Sequence, residues 1–361
     1  MVKNLAIALL LSLAGGLLFT ALQIPLPWLL GPMTAAFLGT RFPKLVQPRW
    51  PGSIRDVALI LIGYSIGLSF SSHTLREMGH QLPTMLLMTT LLLVASTAIG
   101  FAVSKLTGIS FPTVLMGSIP GGMNQMLVLA EETKGIDITV VTFLQVSRLM
   151  MIIFCVPLLV FSPVFGGAHS QDLLPTEAAA RWGDLFPNVL VFGVVCFAAA
   201  WLAKRVRFPS AYLLGPMIAT AVVQGLGLDG PALPTGVLNA AQLMIGTYVG
   251  LLLRPEKLEN KLRLVTLAAL SGAALLGIAL GLCAMLTVLH PVSPMTAFLS
   301  MSPGGMDQMG IIAHEVRADI AIVTSYQIFR TWFIYFAIPP LIRLLFKRLE
   351  KRAALASAQK S

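Results

Sequence analysis

Apolar residues run along this chain in long unbroken stretches, without the i, i+3, i+4 stripe of a soluble amphipathic helix, and polar residues gather in short clusters between them. The stretches cover 5–23, 27–40, 55–72, 83–105, 112–130 and 138–162, then 186–203, 210–226, 236–253, 264–289, 295–313 and 320–345. A helix needs about 20 residues to cross a 30 Å hydrocarbon core, so the pattern predicts an all-α polytopic membrane protein. The stretches 27–40 and 210–226 are short for a span unless tilted. Lys3 followed by Leu5 to Leu22 resembles a signal peptide, but no A-x-A cleavage site appears around Phe19-Thr20-Ala21, so it reads as a retained first span.

The two sets of six stretches repeat with an offset of about 183 residues. Leu29-Leu30-Gly31-Pro32-Met33 returns as Leu213-Leu214-Gly215-Pro216-Met217, Gly63 and Gly67 as Gly246 and Gly250, and Pro157 as Pro339. Pro120-Gly121-Gly122-Met123-Asn124-Gln125-Met126 returns as Pro303-Gly304-Gly305-Met306-Asp307-Gln308-Met309. The chain therefore divides into a first membrane repeat (1–162), an external linker (163–184), a second membrane repeat (185–346) and a basic cytoplasmic tail (347–361).

Composition agrees: charged residues make up 11% of the chain, against about a quarter in soluble domains, and apolar residues 56%. The net charge of +10 is informative loop by loop, because basic residues orient spans. With a cytoplasmic N-terminus, each PGG segment a hairpin, and five crossings per half, one side receives Lys3, the cluster from Arg41 to Arg55, Lys105, Lys134, Lys204 to Arg207, Arg254 to Arg263, and the tail from Arg343. Only Arg76, Arg181 and Arg317 fall outside. Letting the PGG segments cross would place the Lys204 and Arg254 clusters outside. Five crossings is odd, so the second half is expected upside down: an inverted-topology tandem repeat of about ten crossing helices plus two re-entrant broken hairpins. Both termini are then cytoplasmic.

The candidate chemistry sits at the breaks. Proline lacks an N–H and glycine accepts unusual backbone angles, so Pro120-Gly121-Gly122 and Pro303-Gly304-Gly305 interrupt their helices, and the freed backbone groups need partners at membrane depth. Short helices are expected behind them, from Met123 to Leu129 and Met306 to Ile312, with Asn124 or Asp307 near the N-cap and positive dipole ends facing the interior. Gln145 and Arg148, then Gln327 and Arg330, stand three residues apart and share a helix face. Ten residues into its helix, each arginine lies about 15 Å deep, where a charge costs at least about 3 kcal/mol unless it meets a partner or cavity. Two readings stand, together or singly: arginines bonded to carbonyls freed at the break, or clamps for a substrate carboxylate or similar anion. Asp307, where the first copy has Asn124, either pairs with an arginine or takes up a proton or cation.

Glu131, Glu132, Asp137, Glu315 and Asp319 are expected to cap or end helices at the interfaces. Gly31-Pro32 and Gly215-Pro216 read as proline kinks or as a second pair of broken helices. Cys155, Cys196 and Cys283 fall in apolar stretches as small buried residues, and His73, His80, His169, His290 and His314 are scattered. With no phosphate loop, dinucleotide fingerprint or nucleophile elbow either, neither an enzyme nor a cofactor or metal is expected.

The repeated Leu-Leu-Gly-Pro-Met, Ser302-Pro303-Gly304-Gly305-Met306 and the following Gln327-x-x-Arg330 resemble the bacterial membrane AbrB family, whose members carry a tandem duplication. The resemblance spans residues 5 to 345; the first copy departs with Ile119 in place of Ser302. It implies an inner-membrane protein, with members labelled regulators of gene expression or ammonia monooxygenase. Nothing here supplies a monooxygenase metal site, and the tail after Phe346 is too short for a folded DNA reader, so no direct nucleic-acid partner is expected. The expectation is a secondary transporter of a small anionic or zwitterionic metabolite in the bilayer, coupled to a proton or cation, with homo-oligomerisation open. Pro120, Gly121, Gly122, Asn124, Gln125, Gln145, Arg148 and their counterparts Pro303, Gly304, Gly305, Asp307, Gln308, Gln327 and Arg330 would bind the substrate. The alternative is a membrane-embedded sensor or regulator that binds a ligand there and signals through a protein partner.

Overall fold

The computed structural model describes residues 2–24, 26–40, 50–70, 72–120, 126, 130, 136–162, 165, 188–206, 208, 210–252 and 261–358. Regular structure among them is entirely helical: α1 (Val2–Ala21), α2 (Pro27–Thr40), α3 (Gly52–Gly67), α4 (Ser72–Thr107), α5 (Phe111–Ser118) and α6 (Ile138–Val160), then α7 (Asn188–Arg205), α8 (Ala211–Gly225), α9 (Thr235–Leu252), α10 (Lys261–Leu289), α11 (Pro294–Met301), α12 (Met306–Glu315) and α13 (Ile320–Ala358). The expected connector 163–184 lies outside the described residues apart from Phe165, whose ring meets Phe298 with centroids 5.1 Å apart.

Asn4–Ala21, Arg76–Thr107, Ile138–Val160, Asn188–Arg205 and Ala268–Leu289 are long and apolar enough to cross a membrane. Their outer faces carry exposed Leu10, Leu17 and Leu18 on α1 and Phe197 and Trp201 on α7, which in hydrocarbon need no polar cover. Together these features make the chain a helical membrane protein.

Helix packing falls into two groups. One joins α1, α2, α3, α7, α8 and α9; the other joins α4, α5, α6, α10, α11, α12 and α13; α3 touches α12 and α13 between them. Contacts within the first group are exchanged between the halves of the chain. Gly63 of α3 lies against the Leu213 carbonyl of α8, and Gly246 of α9 against the Leu29 carbonyl of α2. Gly67 and Gly250 meet the carbonyls of Met217 and Met33 in the same way. A Cβ at any of these positions would overlap backbone oxygen, so glycine is what lets the helices come so close. The exchange continues in the second group, where α6 packs on α10 and α13 on α4.

α2 and α8 run unbroken through Pro32 and Pro216, so these prolines sit inside continuous helices. Gly31 packs against the Gly15 carbonyl and Gly215 against Ala199, which holds each proline turn against its neighbour. α4 starts at Ser72, eleven residues earlier than the apolar stretch, with Pro83 inside it. α13 continues to Ala358 through the segment expected as a separate tail. The reason is local: Lys347 to Ala356 is built from strong helix formers, without proline or glycine.

Candidate functional site

The two breaks are made by local chemistry. Ile119 and Ser302 each precede a proline, whose ring disfavours the α region for the residue before it. Both residues are extended, Ile119 with ψ 123° and Ser302 with ψ 129°, and α5 and α11 stop there after eight residues each. A helix ending at Ser118 or Met301 leaves its last carbonyls without helical partners. Both ends are buried, so those carbonyls need donors from elsewhere.

The Gln–Arg pairs supply them. Gln145 Nε2 donates to the carbonyls of Met116 (2.6 Å) and Ile119 (3.2 Å). Arg148 Nη1 donates to those of Gly117 (3.3 Å), Ser118 (3.2 Å) and Ile119 (2.9 Å), and Nη2 to Gln145 Oε1 (2.6 Å). In the second copy Gln327 Nε2 donates to Leu299 (2.8 Å) and Ser302 (3.1 Å). Arg330 Nη1 reaches Met301 (3.5 Å), and Nη2 reaches Gly304 (3.2 Å) and Gln327 Oε1. Each guanidinium therefore faces the negative end of a short helix, the favourable sign for a cation. Gly117 packs against the Leu144 side chain, bringing α5 close to α6.

A second contact closes each loop. The backbone N–H of Asp137 donates to Thr113 Oγ1 (3.2 Å), and that of Asp319 to Thr296 Oγ1 (3.1 Å). The Asp137 carboxylate accepts from the N–H groups of Thr139 and Val140, and Asp319 from Ile322, so both cap the helices that carry the arginines. The expectation that these two aspartates cap helices is met. Glu315 ends α12, also as expected, and accepts a bond from buried Gln242 of α9 (2.7 Å). Glu131 and Glu132 lie outside the described residues.

Gln145, Arg148, Gln308, Gln327 and Arg330 are all buried, as are Pro120 and Pro303. Gly304 and Gly305 are half-buried, and a Cβ at Gly304 would meet Met309 and Ile152 of α6, so the second break touches the first half. Gly121, Gly122, Asn124 and Gln125 lie outside the described residues. Asp307 is the second residue of α12, whose N-cap is Gly305 with no side-chain cap.

Arg148 and Arg330 are close enough to interact electrostatically. The hydrogen-bond partners described for them are uncharged carbonyls and glutamine oxygens, and the Asp307 side chain lies outside the described ones. Arg148 Nε is buried with no acceptor among those residues. Two buried like charges within electrostatic reach of each other favour an anion near them. Among the described residues no three His, Cys, Asp or Glu gather where they could hold a metal. Thr113, Thr296 and Gln242 were not among the site residues read from sequence; Gln242 had a signal, as one of two amides, with Asn239, inside the apolar stretch 236–253.

Apolar helices, two proline-glycine breaks, and a buried Gln–Arg pair closing each break define a class of helical membrane protein. The chain belongs to the AbrB family: the family model described as "Transition state regulatory protein AbrB" matches residues 28–346. It is 29% identical over 344 residues to "Putative regulator AbrB" of Escherichia coli (strain K12), covering 95% of this chain and 97% of that protein. It is 23% identical over 355 residues to "Uncharacterized protein YhjN" of Bacillus subtilis (strain 168), covering 93% and 91%. The family read from the Pro-Gly-Gly and Leu-Leu-Gly-Pro-Met motifs is thus borne out.

Proposed function

We propose that this chain is a secondary transporter of a small anionic or zwitterionic metabolite, built as an inverted-topology repeat in a bacterial inner membrane, with both termini cytoplasmic. The observation that carries the reading is the pair Arg148 and Arg330, buried within electrostatic reach of each other, each donating to uncharged carbonyls and a glutamine oxygen, with the Asp307 side chain outside the described ones. A structural role alone needs one cation at each break. Bringing both together with Arg148 Nε unspent supplies donors and charge for a carboxylate. The exchanged contacts, Gly63 on Leu213 and Gly246 on Leu29, support a two-fold relation between the halves. Combined with an odd number of crossings per half, that relation favours an axis in the membrane plane. Gln308, Gln327, Asn124 and Gln125 would add polar contacts, and Asp307 a coupling charge.

The test is uptake of a panel of radiolabelled small carboxylates and amino acids by proteoliposomes containing the purified chain. Transport predicts accumulation of one chemical class, abolished by Arg330→Ala and Arg148→Ala. The regulator name carried by the E. coli relative favours a second reading, a ligand sensor acting through a protein partner. Ligand-induced thermal stabilisation that depends on both arginines, with no flux of the same ligand, would sink transport and support sensing.

A further inference from the structure

α7 is the least covered of the five apolar spans, with 17% of it buried inside the chain. Leu190, Val194, Phe197 and Trp201 are exposed along it at helical spacing, so they form one lipid-facing lane. From Leu190 to Trp201 the lane runs about 16 Å, close to one leaflet, which is half of a core about 30 Å thick. Arg205, one turn past Trp201, continues the lane, and its guanidinium lies over the Trp201 ring, 5.4 Å from the centroid.

A second cation stands beside it. Lys204 Nζ donates to the Tyr212 hydroxyl (2.7 Å) at the start of α8 and lies 5.2 Å from the centre of that ring. Lys204 is also within electrostatic reach of Asp56 on α3, whose neighbour Arg55 sits 4.9 Å over the Tyr248 ring of α9. One end of the first helix group therefore gathers Arg55, Lys204 and Arg205, and Asp56 offsets one of the three charges. Orienting the spans needs basic residues on this side, and a helix C-terminus favours them, but neither calls for rings beneath them. Nor does the repeat: in the register of Leu-Leu-Gly-Pro-Met, Lys204, Arg205 and Tyr212 answer to Thr20, Ala21 and Trp28, none of them charged.

We propose that the end of α7 is a binding site for an anionic phospholipid, with the phosphate on Lys204 and Arg205 and an acyl chain along the lane from Trp201 to Leu190. Lys204 spends one of its three donors on Tyr212 and keeps the others for the phosphate. A guanidinium lying over a ring keeps its edge N–H groups for phosphate oxygens in the same way. Trp201 and Tyr212 stand beside these cations, as aromatic residues do at headgroup level. Basic seat and apolar lane share one continuous face, so a lipid fills both where a soluble anion fills only the first. The site does not depend on whether the chain transports or senses.

The experiment uses the full chain in vesicles of phosphatidylcholine and phosphatidylglycerol, in which one lipid at a time carries brominated chains, a short-range quencher of tryptophan. The Trp201 signal is the difference between the parent chain and Trp201→Phe. Phosphatidylglycerol should be enriched beside Trp201 about ten-fold over its share of the bilayer. Lys204→Gln combined with Arg205→Gln should bring that ratio down to about one. Lys105→Gln removes another exposed cation, seated over Phe101 at the end of α4, and should leave the ratio unchanged. A ratio near one in the parent chain overturns the proposal, and so does a comparable fall in Lys105→Gln, which would show general attraction to a basic surface. Inorganic phosphate, set against chloride at equal ionic strength, should not displace the brominated lipid; displacement would mean a free-anion site and overturn it as well. Lys204 and Arg205 are exposed, so their loss is not expected to disturb folding, and an unchanged thermal melt checks this.

Discussion

Gln145 Oε1 accepts a hydrogen bond of 2.6 Å from Arg148 Nη2, one turn further along α6, while its own amide donates to the end of α5. The glutamine therefore fixes the guanidinium and shares with it the carbonyls left by the Pro120 break. Gln327 and Arg330 repeat the relation around Ser302. Of the two readings open for the arginines, the bond to freed carbonyls is present, and an anion clamp is an addition to it. The pair holds the break, and the break places the pair.

Removing the amide should therefore cost stability in either half. Gln145→Leu leaves the Met116 carbonyl and one arginine N–H without their partner while Ile119 keeps Arg148, and Gln327→Leu does the same to the Leu299 and Ser302 carbonyls and one arginine N–H. Each is expected to lower stability by about 2 kcal/mol, a melting shift of a few degrees in detergent. A thermal melt followed by tryptophan fluorescence would read it. A shift in one half only would mean that the two breaks are not held alike.

The glycine crossings give a sharper contrast. Gly63→Ala and Gly246→Ala each push a methyl into a carbonyl of the facing helix, and backbone cannot move aside as a side chain can. We expect losses of about 1–3 kcal/mol for each, and of similar size. At Gly193 and Gly277 an added methyl would have nothing within 4 Å, so Gly193→Ala and Gly277→Ala should be neutral or stabilising by up to about 1 kcal/mol. Melting temperatures of the four variants decide it.

What could be read from sequence was the covalent chemistry of single residues and their spacing. Pro120 and Pro303 announce their breaks because the ring acts on its own neighbour, and the three-residue step from Gln145 to Arg148 puts both on one face. Their acceptors were not legible, since the carbonyls of Met116 to Ile119 carry no side-chain signature. Gly63 and Gly246 marked the duplication, but each meets a backbone oxygen in the other half, which only packing reveals. Gln242 and Glu315 are 73 residues apart, with nothing local linking them. The tail after Phe346 was read by charge as a separate segment, whereas helix propensity carries α13 through it.

Lysine should not replace arginine at either break. Arg330 spreads over Met301, Gly304 and Gln327 at once, which a planar fork can do and a compact ammonium cannot. Arg330→Lys and Arg148→Lys are expected to lose at least about ten-fold in uptake or ligand affinity, equivalent to about 1.4 kcal/mol. Dose-response curves in proteoliposomes check this. Uptake equal to the parent chain would place the substrate away from the arginines.

The inverted arrangement makes a prediction that needs no substrate. Ile138 begins α6 and Arg317 lies in the turn before α13; both are exposed, and both follow a Pro-Gly-Gly segment in sequence. If one half is upside down relative to the other, Ile138→Cys and Arg317→Cys face opposite sides of the membrane. In right-side-out vesicles a membrane-impermeant thiol reagent should label Arg317→Cys and leave Ile138→Cys untouched, with the order reversed in inside-out vesicles. The native Cys196 and Cys283 are buried and Cys155 is half-buried, so background labelling is expected to be low. Labelling of both from one side would remove the in-plane axis, and with it the argument that the two breaks enter from opposite faces to meet at Arg148 and Arg330.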